Sequence, residues 1–118
     1  MESVPGEWPE GWQVAVAIDD IPASGLSEVI FGERHVVLIV RTGGDFLAVQ
    51  GLCPHQMARL GHGTLLDDGR LQCPHHLAKF SLVDGTCDSG WVLPPLKRYA
   101  TLVRNGHVLV PDPLVALD

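Results

Sequence analysis

Residues 46–85 read FLAVQGLCPHQMARLGHGTLLDDGRLQCPHHLAKFSLVDG. Two short motifs stand out, Cys53-Pro54-His55-Gln56 and, twenty residues on, Cys73-Pro74-His75-His76. They are joined by GTLLDDGRLQ, which carries its own turn at Asp67-Asp68-Gly69. Apart from this pair the chain shows no internal repeat. Each motif offers a thiolate and at least one imidazole from a loop, and two such loops can converge on one object. Thiolate and imidazole together suit Zn²⁺ or the iron of an iron–sulfur cluster. A C2H2 zinc finger groups its donors differently, two cysteines close together and then two histidines on a helix. One Cys and one His from each loop fit a [2Fe–2S] cluster with both thiolates on one iron and both imidazoles on the other. Spacing alone does not choose between His75 and His76, because His75 holds the same place after its cysteine as His55 does.

Outward from this stretch the chain is punctuated by 13 glycines and 9 prolines, and no segment between them shows a helical period. Residues 12–18 (WQVAVAI) alternate as a strand does, and Asp19-Asp20-Ile21-Pro22 then turns the chain. SEVIF (27–31) and HVVLIVR (35–41) flank Gly32-Glu33-Arg34, a short hairpin connection. Thr42-Gly43-Gly44-Asp45 leads into FLAVQ (46–50), and KFSLV (79–83) follows the second motif. Asp84-Gly85 marks a turn, and Pro94-Pro95, unable to pair in a central strand, marks a stiff loop. Asn105-Gly106, between ATLVR and HVLV, is the strongest hairpin signal. These segments predict an all-β, antiparallel sandwich or barrel with local pairing, interrupted by an insertion over about residues 51–80 that carries both motifs.

The totals narrow the function. At 118 residues the chain is expected to form one domain over 1–118 with a modest core. A hydrophobic fraction of 46% with 19% charged residues argues against disorder. The net charge of −6 disfavours nucleic acid and anionic membranes as partners and suits docking to a basic patch on another protein. No apolar run is long enough to span a bilayer. The opening MESVPGEWPEGW has acids in place of a basic signal-peptide n-region, so a cytoplasmic protein is expected. Three cysteines, two of them beside histidines, point to metal rather than to a disulfide framework.

Cys53-x-His55, seventeen residues, then Cys73-x-x-His76 resembles the Rieske signature. The preceding strands, Phe80 and Asp84-Gly85, the Pro94-Pro95 loop and the closing hairpin are also similar to a Rieske ferredoxin, so the resemblance covers most of the chain. It implies a Rieske fold with a two-loop cluster-binding subdomain and one [2Fe–2S] cluster per chain. Carried over residue by residue, Cys53 and Cys73 bind one iron and His55 and His76 the other, with His75 a neighbour rather than a ligand. The disulfide that braces the loops in high-potential relatives is absent, its positions matching Ala58 and His75. The serine and tyrosine hydroxyls that meet the cluster sulfurs there match Ala78 and Phe80, which cannot donate. Fewer hydrogen bonds leave the reduced cluster less stabilised, which implies a potential toward the lower end of the roughly −150 to +300 mV Rieske range. A ligating imidazole that loses its remaining proton on oxidation would couple that potential to pH.

His55 and His76 are expected at the tip, partly exposed, with Gln56, Met57, Leu60, Leu77 and Pro94 around them. Met57 and Leu60 are either loop packing or the apolar centre of a docking surface. Cys87 reads as a structural thiol, Trp91 as core or cluster cover, Trp8 and Trp12 as anchors of the N-terminal segment, and His35, His62 and His107 as surface histidines. Functionally the resemblance implies an electron carrier with no catalytic residue of its own. The chain is too short to add a catalytic iron site and lacks a Gly-rich dinucleotide fingerprint. Electrons would come from a flavin- or iron–sulfur-containing, NAD(P)H-dependent reductase. They would go to a terminal oxygenase, either Rieske non-haem iron or di-iron, with the carrier a monomer. CPHQ and the Leu77 after His76 look most like ferredoxins of the toluene-monooxygenase type, since dioxygenase ferredoxins commonly have glycine there. Two other readings are a Rieske-like small subunit of a nitrite reductase, which often lacks the full ligand set, and a zinc-binding module without redox function.

Overall fold

The computed structural model describes residues 8–32, 34–54, 58–74, 78–87 and 94–117. Its strands are β1 (Trp12–Ala17), β2 (Leu26–Phe31), β3 (His35–Thr42), β4 (Asp45–Gln50), β5 (Thr64–Leu65), β6 (Leu71–Gln72), β7 (Lys79–Phe80), β8 (Arg98–Tyr99), β9 (Leu102–Arg104) and β10 (His107–Pro111). The helical elements among the described residues are two single 3₁₀ turns, Ile18–Asp20 and Leu60–His62. Three antiparallel sheets result, with strand orders β1-β10-β9, β2-β3-β4-β8 and β5-β6-β7. The all-β, antiparallel expectation holds.

The central strand explains the layering. Successive side chains of a strand point to opposite faces, and HVVLIV has apolar residues on both. Val37 and Ile39 join Ala48, Tyr99, Val108 and Val110 in a core shared with the β1-β10-β9 sheet. Leu38 and Val40 face the other way, into a second core with Val49, Cys53, Leu60, Leu71, Cys73 and Phe80. The middle sheet is therefore covered on both sides, and an unbroken apolar run replaces the alternation of a half-exposed strand. Each buried Val, Leu or Ile contributes about 1.5–3 kcal/mol, so the same strand stabilises the base of the molecule and the seat of the two loops.

The two consecutive hairpins match their sequence signals. β2 pairs with β3 from Leu26↔Val40 to Phe31↔His35, and β3 with β4 from Val37↔Gln50 to Thr42↔Asp45. Asn105 and Gly106, at φ 52° and 75°, turn β9 into β10, the left-handed pair that a two-residue hairpin requires. Pairing is less local than the sequence suggested. β1 pairs with β10, from Trp12↔Pro111 to Ala17↔His107, and β4 pairs with β8 at Ala48↔Tyr99. ATLVR is strand only over Leu102–Arg104, because Ala100 and Thr101 carry the chain from Tyr99 in the middle sheet to the outer one. The crossing is held by the Thr101 hydroxyl, which donates to the Phe46 carbonyl at 2.9 Å. KFSLV likewise pairs only at Lys79–Phe80, since Ser81 turns away and its N–H donates to Thr86 O at 2.7 Å. Trp8 and Trp12 do anchor the N-terminal segment. Trp8 meets His107 edge-on at 5.4 Å and Trp12 opens β1. His107 is accordingly half-buried, a correction to its reading as a plain surface histidine.

Candidate metal centre

The two Cys-Pro-His motifs sit on one local structure built twice. In the first, Cys53 N–H donates to Ala58 O at 2.7 Å, and Leu52 bridges Arg59. In the second, Cys73 N–H donates to Ala78 O at 2.8 Å, and Gln72 pairs with Lys79. One step further out, Leu60 N–H donates to Gly51 O at 2.9 Å, while Leu71 pairs with Phe80. The twenty-residue offset thus maps residues 51–53 and 58–60 onto residues 71–73 and 78–80, with the same pairing on either side of each loop. In both copies the cysteine is buried, the proline after it is half-buried, and the alanine and large apolar residue that close the loop are buried again.

Cys53 and Cys73 expose 1% and 0% of their surface and belong to the same apolar cluster, with Ala58, Ala78, Leu60 and Phe80. All three cysteines are thiols rather than disulfides. Two soft donors held out of water by an apolar wall and presented by matched loops fit the thiolate half of an iron–sulfur centre. Ala78 and Phe80 are fully enclosed beside them and bring no hydroxyl. The N–H groups of Cys53 and Cys73 point back to the alanine carbonyls, so neither is available to a sulfur.

Neighbouring elements hold the loops on the sheets. The Arg59 guanidinium grips Glu28 of β2 with two hydrogen bonds, Nε to Oε1 at 3.0 Å and Nη2 to Oε2. This pins the first loop to the middle sheet and holds the guanidinium pKa up. After the second loop, Gly85 N–H donates to Ser81 O and Gly85 O accepts from Leu96 N–H, both at 2.8 Å, tying that segment to the chain beyond the two prolines. Pro94 and Pro95 are exposed and outside any strand. Asp84 caps its own turn by accepting from the N–H and hydroxyl of Thr86 at 3.0 and 2.7 Å, which lowers its pKa.

Of the four expected ligands the structure places Cys53 and Cys73. His55 and His76 lie outside the described residues, as do Gln56, Met57, His75, Leu77 and Trp91. The described frames on either side treat the motifs alike and do not themselves separate His75 from His76. Leu60 is fully buried in the loop core. It is packing, and the docking-surface alternative for this residue is withdrawn: as the counterpart of Phe80 it must fill the space behind the first cysteine. His35 and His62 are exposed, as expected, although His35 Nε2 lies 3.1 Å from the Tyr99 hydroxyl. Cys87 packs half-buried against the cysteine core and bridges Phe80, consistent with a structural thiol. Sequence reasoning missed the Arg59–Glu28 clasp, since nothing in the one-dimensional pattern links residues 31 positions apart.

Comparison with known proteins bears directly on this centre. Residues 11–100 match the Rieske [2Fe-2S] domain. The ferredoxin subunit of 3-phenylpropionate/cinnamic acid dioxygenase from Escherichia coli K12 is 32% identical over 66% of this chain and 74% of its own. The subunit of the same name from Photorhabdus laumondii is 28% identical over 79% and 87%. Among solved structures, the ferredoxin fold is matched in a complex of reduced oxygenase and oxidised ferredoxin of carbazole 1,9a-dioxygenase. That match has a TM-score of 0.76 and 27% identity, covering 87% of this chain and 94% of the other. With the signature's cysteines on twin loops and the domain matched across most of its length, the chain belongs to the Rieske [2Fe-2S] family.

Proposed function

We propose that this protein is a one-electron carrier that delivers electrons to a terminal oxygenase through a [2Fe–2S] cluster held by Cys53, Cys73, His55 and His76. The observation that carries the reading is the twinned loop, with two buried cysteines in one apolar core, inside a chain that matches the family over residues 11–100. When bound, the cluster supplies reversible uptake of a single electron. The chain's residues set the terms of that exchange. Cys53 and Cys73 bind on the buried side, where the apolar wall excludes water and fixes both loops. His55 and His76 take the other iron, and family pattern favours His76 over its neighbour His75. Ala78 and Phe80 withhold hydrogen bonds from the sulfurs, which keeps the potential low and makes the protein a donor.

The relatives are ferredoxin subunits of dioxygenases, which favours a dioxygenase as terminal partner. The resemblance of CPHQ and Leu77 to the toluene-monooxygenase type gains no support from them. A flavin- or iron–sulfur-containing reductase using NAD(P)H completes the proposed chain of carriers. A single domain over 1–118 is supported by β3, which contributes to both cores. Among the described residues no helix is long and apolar enough to cross a membrane. A monomer in the cytoplasm is the arrangement we propose.

The decisive experiment is an electron paramagnetic resonance spectrum of the anaerobically purified, dithionite-reduced protein. A rhombic signal with the lowered average g of histidine ligation is the expected result. Zinc in place of iron, with a silent spectrum, would refute the carrier reading. His55→Ala and His76→Ala should lose or alter the signal and His75→Ala should keep it. A His75→Ala protein without a cluster would move the ligand assignment to His75.

A further inference from the structure

Beside the first loop lies a cleft of about 190 Å³ whose walls include Arg34 and His35 at the start of β3, Lys97 before β8, and Leu52, the residue preceding Cys53. Its floor is polar. Gln50 Nε2 donates to Leu52 O, and Gln50 Oε1 accepts from Lys97 N–H, at 2.6 and 2.8 Å. Tyr99 adds its hydroxyl, which lies 3.1 Å from His35 Nε2 and whose pKa burial raises. Arg34, His35 and Lys97 are exposed, and among the described residues neither Arg34 nor Lys97 makes an ion pair. Glu33, next to Arg34 in the chain, lies outside those residues. A protein with a net charge of −6 and only 8 lysines and arginines has thus placed two cations from separate segments around one concavity.

We propose that this cleft seats a carboxylate side chain of the redox partner protein and so sets how the partner sits against the first cluster loop. The acidic remainder of the surface repels carboxylates elsewhere, so the cleft confers orientation more than affinity. Position supports the assignment, because Leu52 is both a wall of the cleft and the direct chain neighbour of a proposed ligand. The shape supports it too. A concavity walled by two cationic residues together with a histidine and a tyrosine suits a carboxylate seated among them, whereas a flat basic face would suit diffuse attraction. The inference rests on the carrier reading, since it presumes a protein that docks to exchange electrons.

The test is an NMR titration of the ¹⁵N-labelled holoprotein with the capped tetrapeptide acetyl-Gly-Glu-Glu-Gly-amide at low ionic strength. Amide shifts at Arg34, His35, Gln50 and Lys97 are expected. Arg34→Glu and Lys97→Glu should each weaken the peptide about tenfold, as loss of one close charge contact does. Arg104→Glu makes the same charge change at an exposed site on β9 and should leave affinity unchanged. Equal weakening by Arg104→Glu, or no shift at the cleft, would overturn the proposal. So would inorganic phosphate producing the same shifts at the same concentration, which would assign the cleft to a free small anion. The paramagnetic signal of the same sample reports the cluster separately. A cleft that ignores the peptide in protein with the Rieske signal condemns the docking site alone, whereas a missing signal condemns the carrier reading.

Discussion

At the scale of single residues, the character of the centre turns on what Phe80 and Leu60 put behind the two cysteines. Phe80 is fully buried in the cysteine core and ends in a bare ring edge. Phe80→Tyr adds one hydroxyl there, and a hydroxyl that donates to sulfur stabilises the reduced cluster. One net hydrogen bond of about 1 kcal/mol corresponds to ~40 mV in a one-electron couple, so the variant's midpoint potential should rise by about that amount. Voltammetry of parent and variant decides it, and an unchanged or lower potential would contradict the account of why this protein is a donor. The Leu60 side chain has no hydrogen-bonding part to play. Leu60→Ala should reduce unfolding free energy by about 2–5 kcal/mol, the cost of a core cavity, in urea titrations. A near-neutral result would mean that the loop core is not packed around it.

At the scale of elements, the loops depend on the segments that brace them. Gly85 has φ +83°, and a methyl group there would run into the carbonyl oxygen of Leu96, whose N–H donates to Gly85 O. Gly43 also has a positive φ, +63°, but open space around it. Gly43→Ala should therefore cost about 1 kcal/mol from conformation alone. Gly85→Ala should cost at least about 3 kcal/mol, because strain and collision add. Comparable losses in thermal unfolding would show that the Ser81–Gly85–Leu96 tie does not brace the second loop.

Much at this scale was legible in advance. Strong apolar runs and turn pairs such as Asn105-Gly106 announce hairpins because the signal and its partner are adjacent. The doubled loop was legible as two Cys-Pro-His motifs at a fixed offset. The pairing of β1 with β10 was not, since a strand's sequence says which face is apolar and not which distant edge it will meet. The choice between packing and a docking surface for Leu60 stayed open for a related reason. A leucine in a loop beside a glycine looks exposed until the second loop is folded against it. The choice between His75 and His76 came from family pattern, and neither the spacing nor the matched frames made it.

At the scale of the whole molecule, an acidic chain with 14 carboxylate side chains is exposed to acid through those whose ionised form the fold prefers. Two stand out. Asp68 is lowered by its bonds to the Arg70 side chain and backbone, and Asp84 by the Thr86 N–H and hydroxyl. Both have an ordinary value of 3.8, which the unfolded chain recovers. The folded state therefore holds fewer protons than the unfolded state between the depressed value and 3.8. Their contribution is fully present above the unfolded value and is lost as pH falls through the folded one. Melting of the parent protein, followed by far-ultraviolet circular dichroism, should be flat from about pH 7 to 5 in this contribution and decline below about pH 4. Loss of the cluster in acid depresses every variant together, so the informative quantity is a difference. Asp84→Asn keeps an oxygen for Thr86 but removes the charge that its donors favour. It should melt lower than the parent above pH 4, and the gap should close as the parent's own Asp84 becomes protonated. A gap that stays constant through this range would assign the effect of the substitution to shape rather than to charge, and would leave the acid limb of the stability curve to other carboxylates.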